Sequence, residues 1–475
     1  MLQSELVDLV KFAQATHRER NSLEIKSAKD GCPKIYDTLS SFSNQSGGGT
    51  IIFGVDEKDF SLCGVYDAAD LQKKIMEQSL QMEPEVRPLC TVADIDGKTV
   101  VSAEIQEIDN FRKPCFYKGV GRLKGSYVRV GDGDRKMTEY ELYSFEAFRQ
   151  KIRDELRTTD DAELSEIDTD SLTKYLITLK SKKPNLAALP NEKIKALQGF
   201  EKNGKPTLAG IMLFSVYPQA YYPQLCITAV SVPGTEISTV GSVGERFIDN
   251  QRIDGTITQM LDQALLFIRK NTRTKTIIDP DTGKRSDKPE YPVIAVRELL
   301  LNALIHRDYS IHTDYAPVTV RIFADRLEIE NPGGLYGRMT LDQLGKVSAD
   351  TRNPFLANAL EVMEVTENRF SGIPTVIAAM RDAGLPAPKF ESERGVFRAT
   401  LFNDTVAVIP ANSKGAELLD FCSTPRSRDE IEELFRGRLS INYVMSSIVK
   451  PLVAEGRLKL ALPDKPKSRN QRYYR

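Results

Sequence analysis

The sequence predicts an α+β protein made of several domains. Its 475 residues exceed the ~150 residues of a typical domain about threefold, and helical and strand-like patterns follow one another along the whole chain. Two breaks interrupt these patterns: residues 154–170 hold eight acidic residues against one base, and a strand-like pattern ends shortly before residues 410–414. The expected divisions are residues 1–150, 151–290 as a connecting α/β region that leads into the next segment, 291–405 and 414–475, and residues from about 170 to 403 are expected to form one long unit.

Composition and charge exclude several classes of protein. Hydrophobic residues make up 41% of the chain and charged residues 28%, which is ordinary globular usage and unlike collagen, a coiled coil or a disordered chain. No window approaches the ~20 apolar residues of a membrane helix, and the first twenty residues are too polar for a secretory signal. We therefore expect a cytoplasmic protein with no membrane partner. The net charge of −1 means that nucleic-acid binding would depend on local basic patches.

The six scattered cysteines form no C-x-x-C pair, and no histidine stands at metal-ligand spacing. This pattern predicts free thiols in a reducing compartment and no structural zinc. The chain also lacks a G-x-x-x-x-G-K-[ST] motif, so a P-loop NTPase is excluded.

The first segment alternates between helical and strand patterns. Helical spacing of apolar residues predicts a first helix over residues 4–10. Next, LEIKSA predicts a strand and PKIYDTLSSFSN predicts a helix that opens on Pro33. TIIFGV then predicts a buried strand, entered through three glycines that permit a tight turn or a close approach to a ligand.

A basic and aromatic stretch spans residues 111–137, with eight bases, two acids and the rings of Phe111, Phe116, Tyr117 and Tyr127. Charges and rings of this kind suit a groove for phosphates and bases, although a solvated β-hairpin is the alternative. The candidate nucleic-acid contacts in this part of the chain are Lys26, Arg122, Lys124 and Arg129.

Three pieces in order, SLEIKSAKD, LSSFSNQSGGGTIIFGVDE and GSYVRVGDGDRKMT, resemble the Schlafen AlbA-type nucleic-acid-binding domain over residues 1 to about 140. Schlafen-type nucleases cleave RNA with clustered carboxylates, and the matching positions here are Glu19, Glu24 and Asp56. Such a cluster can hold divalent cations that stabilise both the attacking and the leaving oxygen. The resemblance leaves three alternatives, namely catalysis, nucleic-acid binding without cleavage, and a role in assembly.

The segment VIAVRELLLNALIHRDY predicts an apolar helix in which Glu298 and Asn302 lie four residues apart on one face. Polar groups on an otherwise buried helix require partners. In the functional interpretation, the glutamate polarises a water molecule and the asparagine supplies an oxygen ligand to Mg²⁺. In the structural interpretation, both groups bind a neighbouring loop, and the pattern alone leaves the two open.

The succession of elements after this helix resembles the nucleotide-binding domain of the GHKL ATPases (gyrase, heat-shock chaperone, histidine kinase, MutL), in the variant joined to AlbA-type domains in transcriptional regulators. The resemblance implies an α/β sandwich that binds ATP and Mg²⁺. The resemblance implies that this helix binds magnesium. In it, Glu298 would be the catalytic residue of an ATPase and Asn302 would be the metal ligand. Its glycine motifs match, on the adenine side, Glu330, Asn331, Gly333 and Gly334, and in the lid, Ser371 and Gly372.

Two departures from the superfamily pattern concern these motifs. Glu330 stands where the superfamily has an aspartate that accepts a hydrogen bond from adenine. The lid keeps one glycine, Gly372, and Pro374 follows it closely and stiffens the backbone. An ordinary turn after a strand is the alternative for the sequence Asn-Pro-Gly-Gly.

The last segment contains helical patterns followed by a basic hairpin. Ser427 and Glu430 form a capping-box signature, and Pro451 predicts a kink or an early end of the next helix. The arrangement resembles a winged helix-turn-helix domain, a fold used on DNA and also in dimerisation or docking. The candidate DNA contacts are Asn442, Tyr443, Ser446, Lys450, Lys465, Lys467 and Arg469.

Together these features predict an ATP-binding and DNA-binding transcriptional regulator that forms a homo-oligomer, with RNA as the other candidate nucleic acid. One alternative is a Schlafen-like metal-dependent endoribonuclease, and another is an oligomeric assembly protein with a degenerate nucleotide site. The sequence leaves open whether ATP is hydrolysed.

Overall fold

The chain is a mixed α/β protein of several parts, described here from a computed structural model. The structure describes residues 1–16, 21–131, 133–159, 161–241, 244–278, 285–347, 350–366, 372–393, 395–403, 418–419, 421–435, 441–454, 458–461 and 471–474. Among the helices in these ranges, none has the combination of length and apolar content that is needed to cross a bilayer.

The N-terminal part is a four-stranded sheet with order β1-β2-β5-β4, in which β1 and β2 run parallel and the other pairs run antiparallel. One apolar cluster packs under α1 and another packs with α2 and α3. The second predicted helix begins at Tyr36, three residues after the expected Pro33. The elements are α1 (Gln3–Thr16), β1 (Leu23–Lys26), α2 (Tyr36–Asn44), β2 (Gly49–Phe53), α3 (Ala68–Ser79), β3 (Met82–Glu83), β4 (Leu89–Ile95), β5 (Lys98–Ile105), β6 (Phe116–Tyr117), α4 (Arg122–Gly125), β7 (Tyr127–Val130), β8 (Gly133–Lys136) and α5 (Glu139–Gln150).

The central part contains a six-stranded sheet with order β12-β11-β15-β16-β18-β17. Strands β11 and β15 run parallel, and the remaining pairs are antiparallel. Its elements are α6 (Thr169–Lys182), α7 (Asn191–Leu197), β9 (Glu201–Lys202), β10 (Lys205–Pro206), α8 (Leu208–Phe214), β11 (Ile227–Ser231), β12 (Asp249–Ile253), α9 (Ile257–Asn271), β13 (Thr274–Ile278), β14 (Arg285–Pro289), α10 (Val293–Ile305), β15 (Val318–Ile322), β16 (Arg326–Pro332), α11 (Pro354–Val362), α12 (Gly372–Asp382), β17 (Lys389–Glu393) and β18 (Val396–Phe402).

The division expected between residues 290 and 291 falls inside this unit. Strands β11 and β12 come from before that point and β15 to β18 from after it, yet all belong to one sheet. One apolar core extends from Tyr175 to Leu401 through both segments. Residues 151–290 and 291–405 therefore do not form separate cores, because the strand pairing across the sheet ties them together.

The C-terminal part has its own apolar cluster and a small sheet with order β19-β21-β20. The predicted capping box is confirmed, since Ser427 N–H donates to Glu430 Oε2 (2.7 Å) and Glu430 N–H donates to Ser427 Oγ (3.2 Å). A π-helical turn, Met445–Val449, precedes Pro451, and the helix continues to Ala454. Its elements are β19 (Arg426–Ser427), α13 (Arg428–Phe435), α14 (Ile441–Val444), α15 (Lys450–Ala454), β20 (Lys459–Leu460) and β21 (Arg472–Tyr474).

Candidate functional site

Helix α10 carries the polar pair expected at the centre of the site. Eight of its thirteen residues are buried, and it packs against α9, α12 and β16. Glu298 and Asn302 are partly exposed on this otherwise apolar helix, one turn apart on the side that faces a cleft. The buried apolar residues of the helix therefore position a carboxylate and an amide at the cleft.

The cleft has a volume of about 700 Å³ and lies between α10, the end of β16, the loop after β16 and the start of α12. This volume falls within the range of small-molecule and cofactor sites. The sequence-predicted residues that the cleft brings together are Glu298, Asn302, Asn331, Gly333, Gly334 and Gly372. Ser371 lies outside the described residues.

Gly372 lies against the polar pair. A Cβ atom added to Gly372 would stand 3.1 Å from Glu298 Oε2 and 3.2 Å from Asn302 Nδ2. Only a residue without a side chain fits so closely against this pair. A carboxylate and an amide oxygen are suitable ligands for Mg²⁺, so the residue types present fit a magnesium-bound phosphate group by their chemistry.

Glu330 does not line the cleft, contrary to the sequence-based assignment. Strand side chains alternate between the two faces of a sheet, and Glu330 lies on the opposite face from Ile329 and Asn331. There it accepts hydrogen bonds from Arg321 (3.2 Å) and from Arg398 (2.7 and 2.9 Å). Partial burial alone would raise the pKa of Glu330, but these hydrogen bonds from Arg398 and Arg321 lower it. Glu330 is a structural ion-pair residue.

Asn331 occupies the wall of the cleft instead. Its side chain is 4% exposed, and its Nδ2 donates to the carbonyl oxygen of Pro332 (3.3 Å). Gly333 follows with φ +100°, and a Cβ there would stand 2.9 Å from the backbone nitrogen of Asp308. This loop therefore depends on glycine for both its backbone conformation and its close packing.

His306 also lines the cleft, one turn beyond Asn302. His306 is exposed where it borders the cleft.

In the N-terminal part, the two described members of the expected carboxylate cluster, Glu24 and Asp56, each have other partners. Glu24 pairs with Lys26 (2.6 Å) and with Arg129 (2.7 Å). Asp56 Oδ1 instead accepts from the backbone N–H of Lys58 (2.9 Å), which closes a local turn. Glu19 lies outside the described residues, and within them no group of three or more His, Cys, Asp or Glu side chains could hold a metal ion.

Two of the predicted nucleic-acid contacts, Arg129 and Lys26, pair with Glu24. The Arg129 side chain is 1% exposed and binds Glu24, Asp134 (3.1 Å) and the carbonyl oxygen of Leu23 (3.2 Å). Arg129 therefore holds the β7–β8 hairpin against β1 and is not a surface contact. Lys26 is partly buried beside Glu24.

The remaining basic candidates differ in accessibility. Arg122 pairs with Glu146, whereas Lys124 and Lys450 are exposed. The side chains of Asn442, Tyr443 and Ser446, and all of Lys465, Lys467 and Arg469, lie outside what the structure describes.

The predicted aromatic groove is also partly occupied. Phe111 stacks on Phe148, with ring centroids 4.6 Å apart, and Tyr117 stacks on Tyr36, with centroids 3.9 Å apart. Phe111 therefore packs on α5 through one face of its ring, while the residue is 42% exposed.

Two family descriptions match parts of the chain. Residues 19–138 match "Schlafen, AlbA_2", and residues 316–401 match "Putative ATP-dependent DNA helicase recG C-terminal", an ATPase-type domain. Both domains are present in this chain. Helix α10, with Glu298 and Asn302, precedes the matched segment of the RecG-like ATPase domain, and its place beside that segment comes from the fold.

Two solved structures are similar to the chain. The DIP2311 protein from Corynebacterium diphtheriae is 20% identical, covers 90% of this chain and 89% of its own length, and has a TM-score of 0.40. The N-terminal domain of a RecG-related protein from Nitrosomonas europaea is 26% identical, covers 28% of this chain and 92% of its own length, and has a TM-score of 0.23. No curated protein matches the chain significantly.

Sequence reasoning missed a contact between the helix after the AlbA_2 domain and the ATPase domain. Tyr140 Oη donates to Asp308 Oδ2 (2.8 Å), and Arg352 Nη1 donates to the same oxygen (2.6 Å). Arg352 Nη2 reaches the carbonyl oxygen of Gly334 (3.3 Å) in the cleft loop. The tyrosine hydroxyl is thus connected to the cleft through two side chains.

Aromatic packing extends the same interface. Tyr336, in the cleft loop, meets Phe148 edge-on with centroids 5.4 Å apart, and Asn110 Nδ2 donates to Gly337 oxygen (2.8 Å). The loop that lines the cleft therefore also contacts the AlbA_2 domain and α5. No local motif marks these residues, since they come from distant parts of the chain.

Proposed function

We propose that the chain binds ATP and acts as a regulator that binds nucleic acid. Whether the cleft holds a nucleotide modulates how the flanking domains bind nucleic acid. The observation that carries this proposal is the cleft itself, where Glu298, Asn302 and Gly372 face Gly333 and Gly334. DNA is the proposed nucleic acid and transcription the proposed process, with the C-terminal part acting as a winged helix.

ATP and Mg²⁺ are the proposed ligands of the cleft. Bound Mg²⁺ would neutralise phosphate charge, and Asn302 would hold it through its amide oxygen. Glu298, one turn away, would orient water, and Gly372 packs closely against both side chains and holds them at the cleft. Hydrolysis of ATP is not required for this role.

The interface with the AlbA_2 domain supports the regulatory part of the proposal. Arg352 bonds both to Asp308, which Tyr140 also contacts, and to Gly334 of the cleft loop. A ligand that moves this loop would change the contacts of α5, because buried ion pairs do not deform continuously. Modulation requires that ATP bind one arrangement better than the other.

Titration calorimetry of the full chain with ATP and Mg²⁺ tests nucleotide binding. We expect measurable binding, and we expect Asn302→Ala to remove the magnesium-dependent part of it. Glu330→Gln is the matched control, because Glu330 lies on the other face of the sheet, and it should bind like the wild type. Absence of binding to the wild type would remove the ATP claim.

A metal-dependent nuclease receives less support, because Glu24 is engaged by Lys26 and Arg129. Incubation of the purified chain with tRNA and Mn²⁺ or Mg²⁺ separates the two functions. Cleavage that is lost in Glu24→Ala would favour the nuclease, provided that the variant keeps the wild-type unfolding temperature. Homo-oligomer formation and a cytoplasmic location stay predictions.

A further inference from the structure

We infer that Asn331 contacts the base of the bound nucleotide and that the cleft accepts guanine as well as adenine nucleotides. The inference rests on the proposed nucleotide binding and concerns which bases that site accepts. The part of the cleft concerned is the wall that the sheet forms.

This wall is apolar apart from one amide. Ile329 and Asn331 point to the same side of β16, and their partners on β18 are Ala399 and Phe397. All four line the cleft. An apolar wall of this kind suits the flat face of a base and offers nothing to a phosphate group.

The polar groups on the facing helix are of a different type. Glu298 and Asn302 stand together on α10, and the backbone of Gly372 packs closely against them. A nucleotide has one charged end and one flat aromatic end. Its charged end matches the α10 side with Mg²⁺, and its base matches the wall that contains Asn331.

The amide of Asn331 has hydrogen-bonding capacity left for a ligand. Its Nδ2 makes one bond, to Pro332 oxygen at 3.3 Å, and keeps a second N–H. Among the described residues, no donor is bonded to its Oδ1. Because the side chain is 4% exposed, a donor supplied by a ligand would satisfy an acceptor that little water reaches.

An amide offers an acceptor and a donor side by side, and a half-turn of the side chain exchanges them. The pairing edge of adenine carries an N–H donor at N6 beside the acceptor N1. Guanine carries the acceptor O6 beside an N–H donor at N1. Asn331 can therefore pair with either base, whereas a carboxylate at this position would only accept and would repel O6 of guanine.

The hydrogen bond from Asn331 to Pro332 determines how strongly the site prefers one purine base over the other. Turning the amide exchanges this one long hydrogen bond for a contact between two acceptor oxygens, Oδ1 and the Pro332 oxygen, which corresponds to roughly ten- to a hundredfold in affinity. The wild type should thus bind the two purine nucleotides with dissociation constants within about a hundredfold of each other.

The test is calorimetric titration of the full chain with ATP and with GTP, each in the presence of Mg²⁺. Wild type should bind both, and Asn331→Asp should weaken GTP binding at least tenfold more than ATP binding. Glu330→Gln, which changes the adjacent residue on the other face, should leave the ratio of the two affinities unchanged. Asn331→Leu, which has neither donor nor acceptor, should weaken both nucleotides to a similar extent.

The outcomes separate this inference from the proposed function. If wild type binds ATP and rejects GTP by more than a hundredfold, the inference fails and nucleotide binding stands. The inference also fails, and nucleotide binding stands, if Asn331→Asp folds and keeps the wild-type ratio of ATP affinity to GTP affinity. If wild type binds neither nucleotide, both claims fall. The wild-type comparison needs no variant, so it decides the matter even if Asn331→Asp does not fold.

Discussion

Tyr140 donates a hydrogen bond of 2.8 Å to Asp308, and this bond joins the helix after the AlbA_2 domain to the ATPase domain. Asp308 is fully buried and also receives a bond from Arg352 (2.6 Å). Burial alone would raise the pKa of Asp308, but the charge of Arg352 and the hydrogen bonds from Ser310 and Tyr140 lower it. The carboxylate therefore stays ionised between two parts of the chain.

The first prediction concerns coupling between the cleft and nucleic acid. Tyr140→Phe removes the hydroxyl bond to Asp308 and keeps the ring. We expect ATP affinity to change less than threefold and the effect of ATP on nucleic-acid affinity to fall roughly fivefold, the factor that one hydrogen bond contributes. Fluorescence anisotropy of labelled DNA, with and without ATP and Mg²⁺, measures this effect.

Tyr143→Phe is the matched control for that experiment. Tyr143 lies on the same helix, but its hydroxyl binds Asp154 (2.7 Å) and makes no bond to Asp308. If both variants reduce the ATP effect equally, the route through Asp308 is refuted.

The second prediction concerns stability. Arg352→Ala leaves the buried Asp308 without its cationic partner, and loss of one member of a buried pair costs about 3 kcal/mol or more. Arg338→Ala, which breaks an exposed pair with Asp350, should cost less than about 1 kcal/mol. Denaturant unfolding followed by circular dichroism compares the two, and equal losses would contradict the structural role of Arg352.

The sequence predicted Asn331 in the cleft, and its strand period also separates Asn331 from Glu330. Leu327, Ile329 and Asn331 repeat with the strand period of two, so a buried face that includes both apolar residues also includes Asn331. Glu330 then belongs to the other face. Motif matching overrode this alternation, and for that reason the acidic residue was assigned to the cleft.

The pair on α10 was predictable because four residues make one helical turn. The cluster of Tyr140, Asp308 and Arg352 was not predictable, since its members are separated by 168 and 44 residues. Each of them is an ordinary polar residue in its own segment. Only the packing of α5 against the ATPase domain brings them together, and no local pattern encodes that packing.

The third prediction concerns the close packing of Gly372 against Glu298 and Asn302. In Gly372→Ala, the new Cβ would lie 3.1 Å from Glu298 Oε2 and 3.2 Å from Asn302 Nδ2, closer than ordinary van der Waals contact. Both side chains would have to shift, and we expect ATP–Mg²⁺ affinity to fall at least tenfold. Gly133→Ala is the control, because a Cβ there meets open space, and calorimetry should find its affinity unchanged. A Gly372→Ala protein with wild-type affinity would exclude ligand binding next to this backbone.

The fourth prediction concerns the pH dependence of stability. Glu155 is fully buried, and its carboxylate accepts the backbone N–H groups of Phe355 (3.0 Å) and Leu356 (2.8 Å) at the start of α11. Burial raises the pKa of Glu155 from 4.5 to about 7, although these hydrogen bonds oppose the rise. Between pH 4.5 and about 7, Glu155 therefore keeps its proton in the folded state, whereas it has lost that proton in the unfolded state.

The stabilising contribution of protonated Glu155 is complete below pH 4.5 and is lost as the pH rises to about 7. One pKa unit corresponds to about 1.4 kcal/mol, so the loss is about 3 kcal/mol. The side chain in Glu155→Gln cannot titrate. As the pH rises from 5 to 8, the unfolding temperature of the wild type should therefore fall relative to that of Glu155→Gln. The exposed Glu192→Gln is the control, measured by the same thermal scans. Parallel profiles of wild type and Glu155→Gln would show that Glu155 is ionised throughout this range.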